Sequence, residues 1–132
     1  MEVLSVVVAA LVGFAYGAAH YMTLAKPWMK AAGIPMDANG KPAGDQRSPV
    51  PFILSAIAML VVAGFMRHIF TMAGIDSAGK GLVAGLGVGL FFITPWIIIN
   101  NAYPGRPFML TVIDGGYATI GCALMGLVLT LF

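Results

Sequence analysis

Residues 81–105 read GLVAGLGVGLFFITPWIIINNAYPG, without one Asp, Glu, Lys or Arg. A run this long is no buried strand. Wound as a helix at about 1.5 Å per residue, it crosses a hydrocarbon core of about 30 Å. Three other stretches have the same character: residues 3–25, 48–66 and 115–132 also lack all four charged residue types. In lipid every backbone N–H and C=O must find its partner inside its own segment, so each window predicts a helix. The expected spans are residues 3–22, 50–69, 81–102 and 108–131.

Composition points the same way. Of 132 residues, 60% are hydrophobic and 9% charged, against about 25% charged in a soluble domain. Seven Lys and Arg with five Asp and Glu cannot cover a globule of this size, and the mean hydropathy is +0.94. A soluble enzyme and a disordered chain are excluded. Nucleic acid is excluded as a partner too, because a net charge of +2 without a basic cluster offers no footprint for phosphates. Cys122 is the only cysteine, so neither an intrachain disulfide nor a cysteine-built metal site is open to the chain. The expected fold is all-α: a polytopic membrane protein, one four-helix transmembrane bundle over residues 1–132, with the lipid bilayer as its first partner.

Gly17, Ala18 and Ala19 after the first apolar run mimic a signal cleavage site, yet Glu2 stands where a basic segment belongs. The run is therefore expected to remain as a span. Lys26, Lys30, Lys41, Arg47 and Arg106 fall in the first and third loops, and only Arg67 and Lys80 in the second. Positive residues stay inside, so both termini are expected outside.

The first loop is the long one. It opens on Lys26-Pro27-Trp28-Met29-Lys30, where Pro27 suits the first turn of a short helix. Trp28 between Lys26 and Lys30 suits an interfacial anchor, ring half buried and ammonium groups in water. Asn39-Gly40, Pro42, Gly44 and Ser48-Pro49 are turn chemistry. In the third span Gly81, Gly85 and Gly89 share a face, with Gly79 and Gly87 nearby. Each glycine costs a helix about 1 kcal/mol relative to alanine, so close backbone approach is the expected compensation. Ala9, Gly13 and Gly17 offer a matching strip on the first span; Ala118, Cys122 and Gly126 offer one on the fourth. The sequence leaves open whether the contact lies within one chain or between chains, and thin glycine-rich helices favour a homo-oligomer or a partner membrane subunit. Pro95 removes one backbone hydrogen bond and predicts a kink near residues 91–94.

Asp114 lies eight positions after Arg106, about 12 Å along a helix axis. An ionised carboxylate at that depth costs several kcal/mol unless paired, protonated or wetted. His20, Asn100 and Asn101 lie in the same leaflet. Tyr16 and His20 share a face at i, i+4, and Asp114 shares one with Tyr117. The expected polar cluster is Asp114, His20, Asn100 or Asn101, Tyr117 and Tyr16, opening toward the long loop. The same residues also suit plain interhelical glue. Metal-ligand spacing, Walker loop and nucleophile elbow are all lacking, so neither metal nor cofactor is expected. The glycine spacing at residues 85–89 lacks the preceding strand of a dinucleotide site. The nine methionines are scattered as packing residues are.

Gly13-Phe-Ala-Tyr-Gly17 through His20-Tyr21, Lys26-Pro27-Trp28-Met29, Ile99-Asn100-Asn101-Ala-Tyr103-Pro-Gly105-Arg106-Pro107 and Ile113-Asp114-Gly115-Gly116-Tyr117 together resemble the bacterial membrane family catalogued as domain of unknown function family 1761. The resemblance covers nearly the whole chain. It implies a small four-helix protein of the bacterial inner membrane and supplies no reaction. The function expected from the residues is a small oligomeric transporter or channel with a polar intramembrane site. The rival is a non-catalytic accessory subunit of a membrane complex. An enzyme is not expected, since one Asp and one His are a thin basis for acid–base work.

Overall fold

A computed structural model describes residues 2–43 and 48–132; Gly44 and Arg47 lie outside the described residues. Helix α1 (Glu2–Thr23) is followed after Leu24 by the short α2 (Ala25–Ala32), then by α3 (Val50–Ala73) and α4 (Ala78–Gly87). A π-helical segment, Val88–Ile93, leads into α5 (Thr94–Ala102), and α6 (Phe108–Leu129) completes the chain. Four helices are long and apolar enough to cross a membrane: α1, α3, the continuous Ala78–Ala102 and α6. The chain is a multi-pass membrane protein.

The helix ends differ from the expected spans by up to four residues. Helix α3 runs past Arg67 and His68 to Ala73, because Arg67 does not have to leave the helix to find partners. Its Nη1 donates to the carbonyl of Leu129 at 2.8 Å, and Nη2 lies 3.7 Å from Glu2 Oε1. One cation thus joins three helices at one end of the bundle and satisfies an orphan carbonyl at the C-terminus of α6. Gly74, at φ 69°, then stops α3, with the Ile75 N–H closing on the carbonyl of Phe70 at 2.9 Å. Helix α6 ends at Leu129 rather than 131.

Helix α6 is the hub. It packs on α1, α4, the π-helical segment, α5 and α2, whereas α3 leans on α1 and touches only the edge of α6. The apolar core, with Ala9, Ala63, Met66, Phe70, Met125 and Leu129, fills the half of the bundle toward the Arg67 end. Val61, Phe65, Phe91, Phe92 and Trp96 point outward, as lipid-facing side chains must.

The glycine strips are used inside the chain. A Cβ on Gly81, Gly85 or Gly89 would overlap the main chain of Gly126, Cys122 or Ala118 respectively. Helix α4 and the π-helical segment therefore lie backbone to backbone on α6. On α1, Gly13 faces Met125 and Met59, and Gly17 faces the Tyr117 ring. Both strips meet the fourth span, so neither remains as an argument for an oligomer.

The disturbance expected from Pro95 takes the form of the π-helical segment just before it. A wider turn moves the upstream carbonyls away from the pyrrolidine ring, which would crowd them in a regular helix. The Thr94 N–H reaches the carbonyl of Gly89, five residues back, and the Thr94 hydroxyl donates to the same oxygen at 2.7 Å.

A carboxylate at the polar end of an apolar cleft

Helices α1 and α6 approach closely in the half of the bundle opposite Arg67, because Gly17 accepts the Tyr117 ring against its backbone. That approach brings Tyr16, His20 and Tyr21 from α1 against Asp114 and Tyr117 from α6. Tyr117 stacks with Tyr16 at 6.1 Å between centroids and meets Tyr21 edge-on at 5.4 Å. Its hydroxyl lies 3.3 Å from the carbonyl of Gly13 and from Met59 Sδ.

His20 is fully engaged by its own chain. Its Nε2 lies 2.8 Å from the carbonyl of Ile113; a carbonyl only accepts, so Nε2 carries the hydrogen. Nδ1 faces the Tyr16 hydroxyl at 3.1 Å and accepts from it in the neutral ring. His20 thus fastens α1 to α6 and sets the ring against which Tyr16, Tyr21 and Tyr117 pack.

Asp114 is held by two side chains on one oxygen. The Tyr21 hydroxyl donates to Oδ1 at 2.6 Å and the Trp28 indole N–H at 3.2 Å. Among the described residues no donor reaches Oδ2, and no Lys, Arg or His forms an ion pair with the carboxylate. Two neutral donors orient the group without supplying a countercharge, so they offset only part of the several kcal/mol that an ionised carboxylate costs in apolar surroundings.

Tyr21 and Trp28 had not been placed in the cluster by the sequence. The Trp28 indole is half buried, as an anchor's ring would be, and it also points at Asp114, because α2 packs on α6 and Met29 is buried. Lys26 and Lys30 stay exposed. The available signal was spacing: Tyr21 and Trp28 are seven apart, two helical turns, and α2 nearly continues α1, with the Trp28 N–H bonded to the Leu24 carbonyl at 2.9 Å.

The asparagines are not brought to Asp114. Asn100 is exposed. Asn101 is buried and donates to Thr111 Oγ1 at 3.1 Å, while its own Oδ1 accepts from Arg106 at 3.3 Å. It closes the turn between α5 and α6, where Gly105 has φ 74° and the Arg106 N–H returns to the carbonyl of Asn101 at 3.0 Å. Thr111 lies nearly one helical turn before Asp114, so an amide bound there serves the helix junction.

From Asp114 a cleft of about 400 Å³ runs along α6. Tyr21, Asp114 and Tyr117 form its polar end; Met59, Val62, Ile93, Ile97, Cys122 and Met125 are among its walls. It exists because α3 is held by α1 and has no substantial packing against α5, leaving a gap floored by the small residues Ala118 and Gly121. A second hollow, about 460 Å³ between Glu2, Leu60, Arg67 and His68, has its charges already facing each other. Among the described residues no three His, Cys, Asp or Glu side chains gather as metal ligands would.

The stretches that build this site lie in a region that matches a known family. No curated protein and no solved structure matches the chain. The sequence profile described as protein of unknown function (DUF1761) matches residues 4–130, so the Ile113-Asp114-Gly115-Gly116-Tyr117 stretch, the Gly105-Arg106-Pro107 turn and the Trp28 segment all lie in the matched region, and the chain belongs to that family.

Proposed function

We propose that this protein is a membrane-embedded transporter for a small amphiphilic solute, with the cleft beside Asp114 as its binding site. The observation that carries the reading is the carboxylate itself, oriented by Tyr21 and Trp28 and set at one end of a cleft of about 400 Å³ whose remaining walls are mainly apolar. That volume lies within the range of about 300–1,000 Å³ typical of small-molecule sites. A carrier fits better than a channel, because the cleft reaches Met125 and the packed core with Phe70 and Leu129 lies beyond it. Discontinuous helices line substrate sites in many transporters, and Ile93 of the π-helical segment lines this cleft. No chemical reaction is part of the proposal.

The accessory-subunit reading draws on the first loop, whose tip is folded: Met36 bridges to Pro42, and Asp37 accepts the N–H groups of Asn39 and Lys41 at 2.9 and 3.0 Å. Uptake into proteoliposomes separates the two. Decyl probes bearing a cationic, a neutral or an anionic head are offered to the wild type and to Val62→Trp, whose indole fills the cleft. At least one class is expected to move several-fold faster through the wild type; equal rates for all three in both proteins refute the transporter.

A further inference from the structure

We infer that the solute is a singly charged organic cation with an apolar body, an amphipathic ammonium whose charge pairs with Asp114, a substrate class that rests on the transporter reading. Charge decides the sign. Asp114 is the one ionisable carboxylate or amine among the residues lining the cleft, and among the described residues no cation pairs with it. An anion entering the cleft meets a like charge and no described Lys or Arg. A neutral solute leaves the carboxylate uncompensated in a medium of low dielectric, whereas an ammonium head cancels it.

The surroundings of the carboxylate decide what kind of cation. Oδ1 is occupied by an O–H and an N–H donor, which leaves Oδ2 for the ligand. One carboxylate oxygen does not replace the six or more oxygens that calcium or magnesium requires. The rest of the polar end is aromatic: Tyr21 and Tyr117 both line the cleft, their rings crossing at 75° with centroids 5.4 Å apart. Aromatic faces attract weakly hydrated ammonium groups through the ring quadrupole. Below them Met59, Val62, Ile97 and Met125 offer only apolar contact. At about 400 Å³ the space sits near the low end of ligand-site volumes, suited to a single-chain amphiphile rather than a two-chain lipid.

Trp28 is the reporter. Its indole donates to Asp114, and the other tryptophan, Trp96, is 67% exposed on the outer face, so Trp96→Phe leaves a single fluorophore at the site. This protein, in nanodiscs of neutral phosphatidylcholine, is titrated with decyltrimethylammonium, with its uncharged isostere carrying carbon in place of nitrogen, and with decyl sulfonate. The ammonium is expected to produce a saturable change in Trp28 emission at a concentration at least about tenfold below that of the isostere, and the sulfonate none. Asp114→Asn, which keeps an acceptor for Tyr21 and Trp28, is expected to erase that preference and leave the isostere unchanged. Equal binding of ammonium and isostere to the unsubstituted site overturns the cation assignment whether or not Asp114→Asn folds. If both are still displaced by Val62→Trp, the cleft reading survives that result. Saturable binding of no probe removes both.

Discussion

At the scale of single residues, the molecule separates glycines that must be glycine from those that need not be. Gly85 lies against the carbonyl of Cys122, and a Cβ there meets main chain on a neighbouring helix, which cannot swing aside as a side chain does. Gly87, two positions on, has open space where its Cβ would stand. Gly85→Ala is expected to destabilise the protein by about 1–3 kcal/mol through overpacking, and Gly87→Ala to be neutral or to stabilise it by up to about 1 kcal/mol through helix propensity. Thermal unfolding in a mild detergent reads both, and equal losses contradict the backbone contact between α4 and α6. The polar residues divide in the same manner. Asp114 was legible as costly from its depth alone, but a sequence does not show which donors meet it. Asn100 is exposed, and Asn101 faces α6 but meets Thr111, nearly one turn short of Asp114, since a guess at depth fixes neither the azimuth of a residue nor its last turn along the axis. Trp28 carries the marks of an anchor, and only the packing of α2 on α6 shows that its indole also meets Asp114.

Among the elements, the π-helical segment is where local sequence and tertiary contact meet. Pro95 predicts a break, and the hydroxyl of Thr94 secures its form by bonding to the carbonyl of Gly89. Thr94 also lies against Gly115 of α6, its Cγ2 2.9 Å from where a Cβ would stand, so the widened turn is fixed at the crossing of α5 and α6. Thr94→Val keeps the shape and removes the donor. It is expected to cost about 0.5–1.5 kcal/mol, read as a lower melting temperature together with faster amide exchange confined to residues 88–94. Unchanged exchange there shows that the backbone bond from the Thr94 N–H suffices. Helix α2 was expected as a short element and is found as one, but its role comes from its C-terminal stop at Gly33, φ 72°, and from a one-residue joint at Leu24 that keeps it beside α6.

Over the whole molecule, four spans return the chain to the face from which it starts, and Arg67 marks that face by joining Glu2 to the end of α6. The site lies toward the other face, with the first loop. The distribution of Lys and Arg predicts that this loop is cytoplasmic. In a Cys122→Ser background, a cysteine at Asn39 is expected to react with a membrane-impermeant maleimide only after the membrane is opened, and one at Phe132 to react in intact cells; the reverse pattern inverts the orientation and leaves the fold untouched. The number of spans, their approximate limits and the expectation of close glycine contacts were determined by the sequence alone, because the solubility of a segment in oil and the bulk of its side chains are properties each residue carries wherever it lies. Which helix the glycines meet, that α6 is the hub, that α3 stands off α5 to leave a cleft, and that Tyr21 and Trp28 face Asp114 were decided by the tertiary structure. Those are relations of azimuth and contact between segments that can lie 104 residues apart, and lipid, being equally apolar on every side of a helix, leaves little mark in the sequence of which face turns inward.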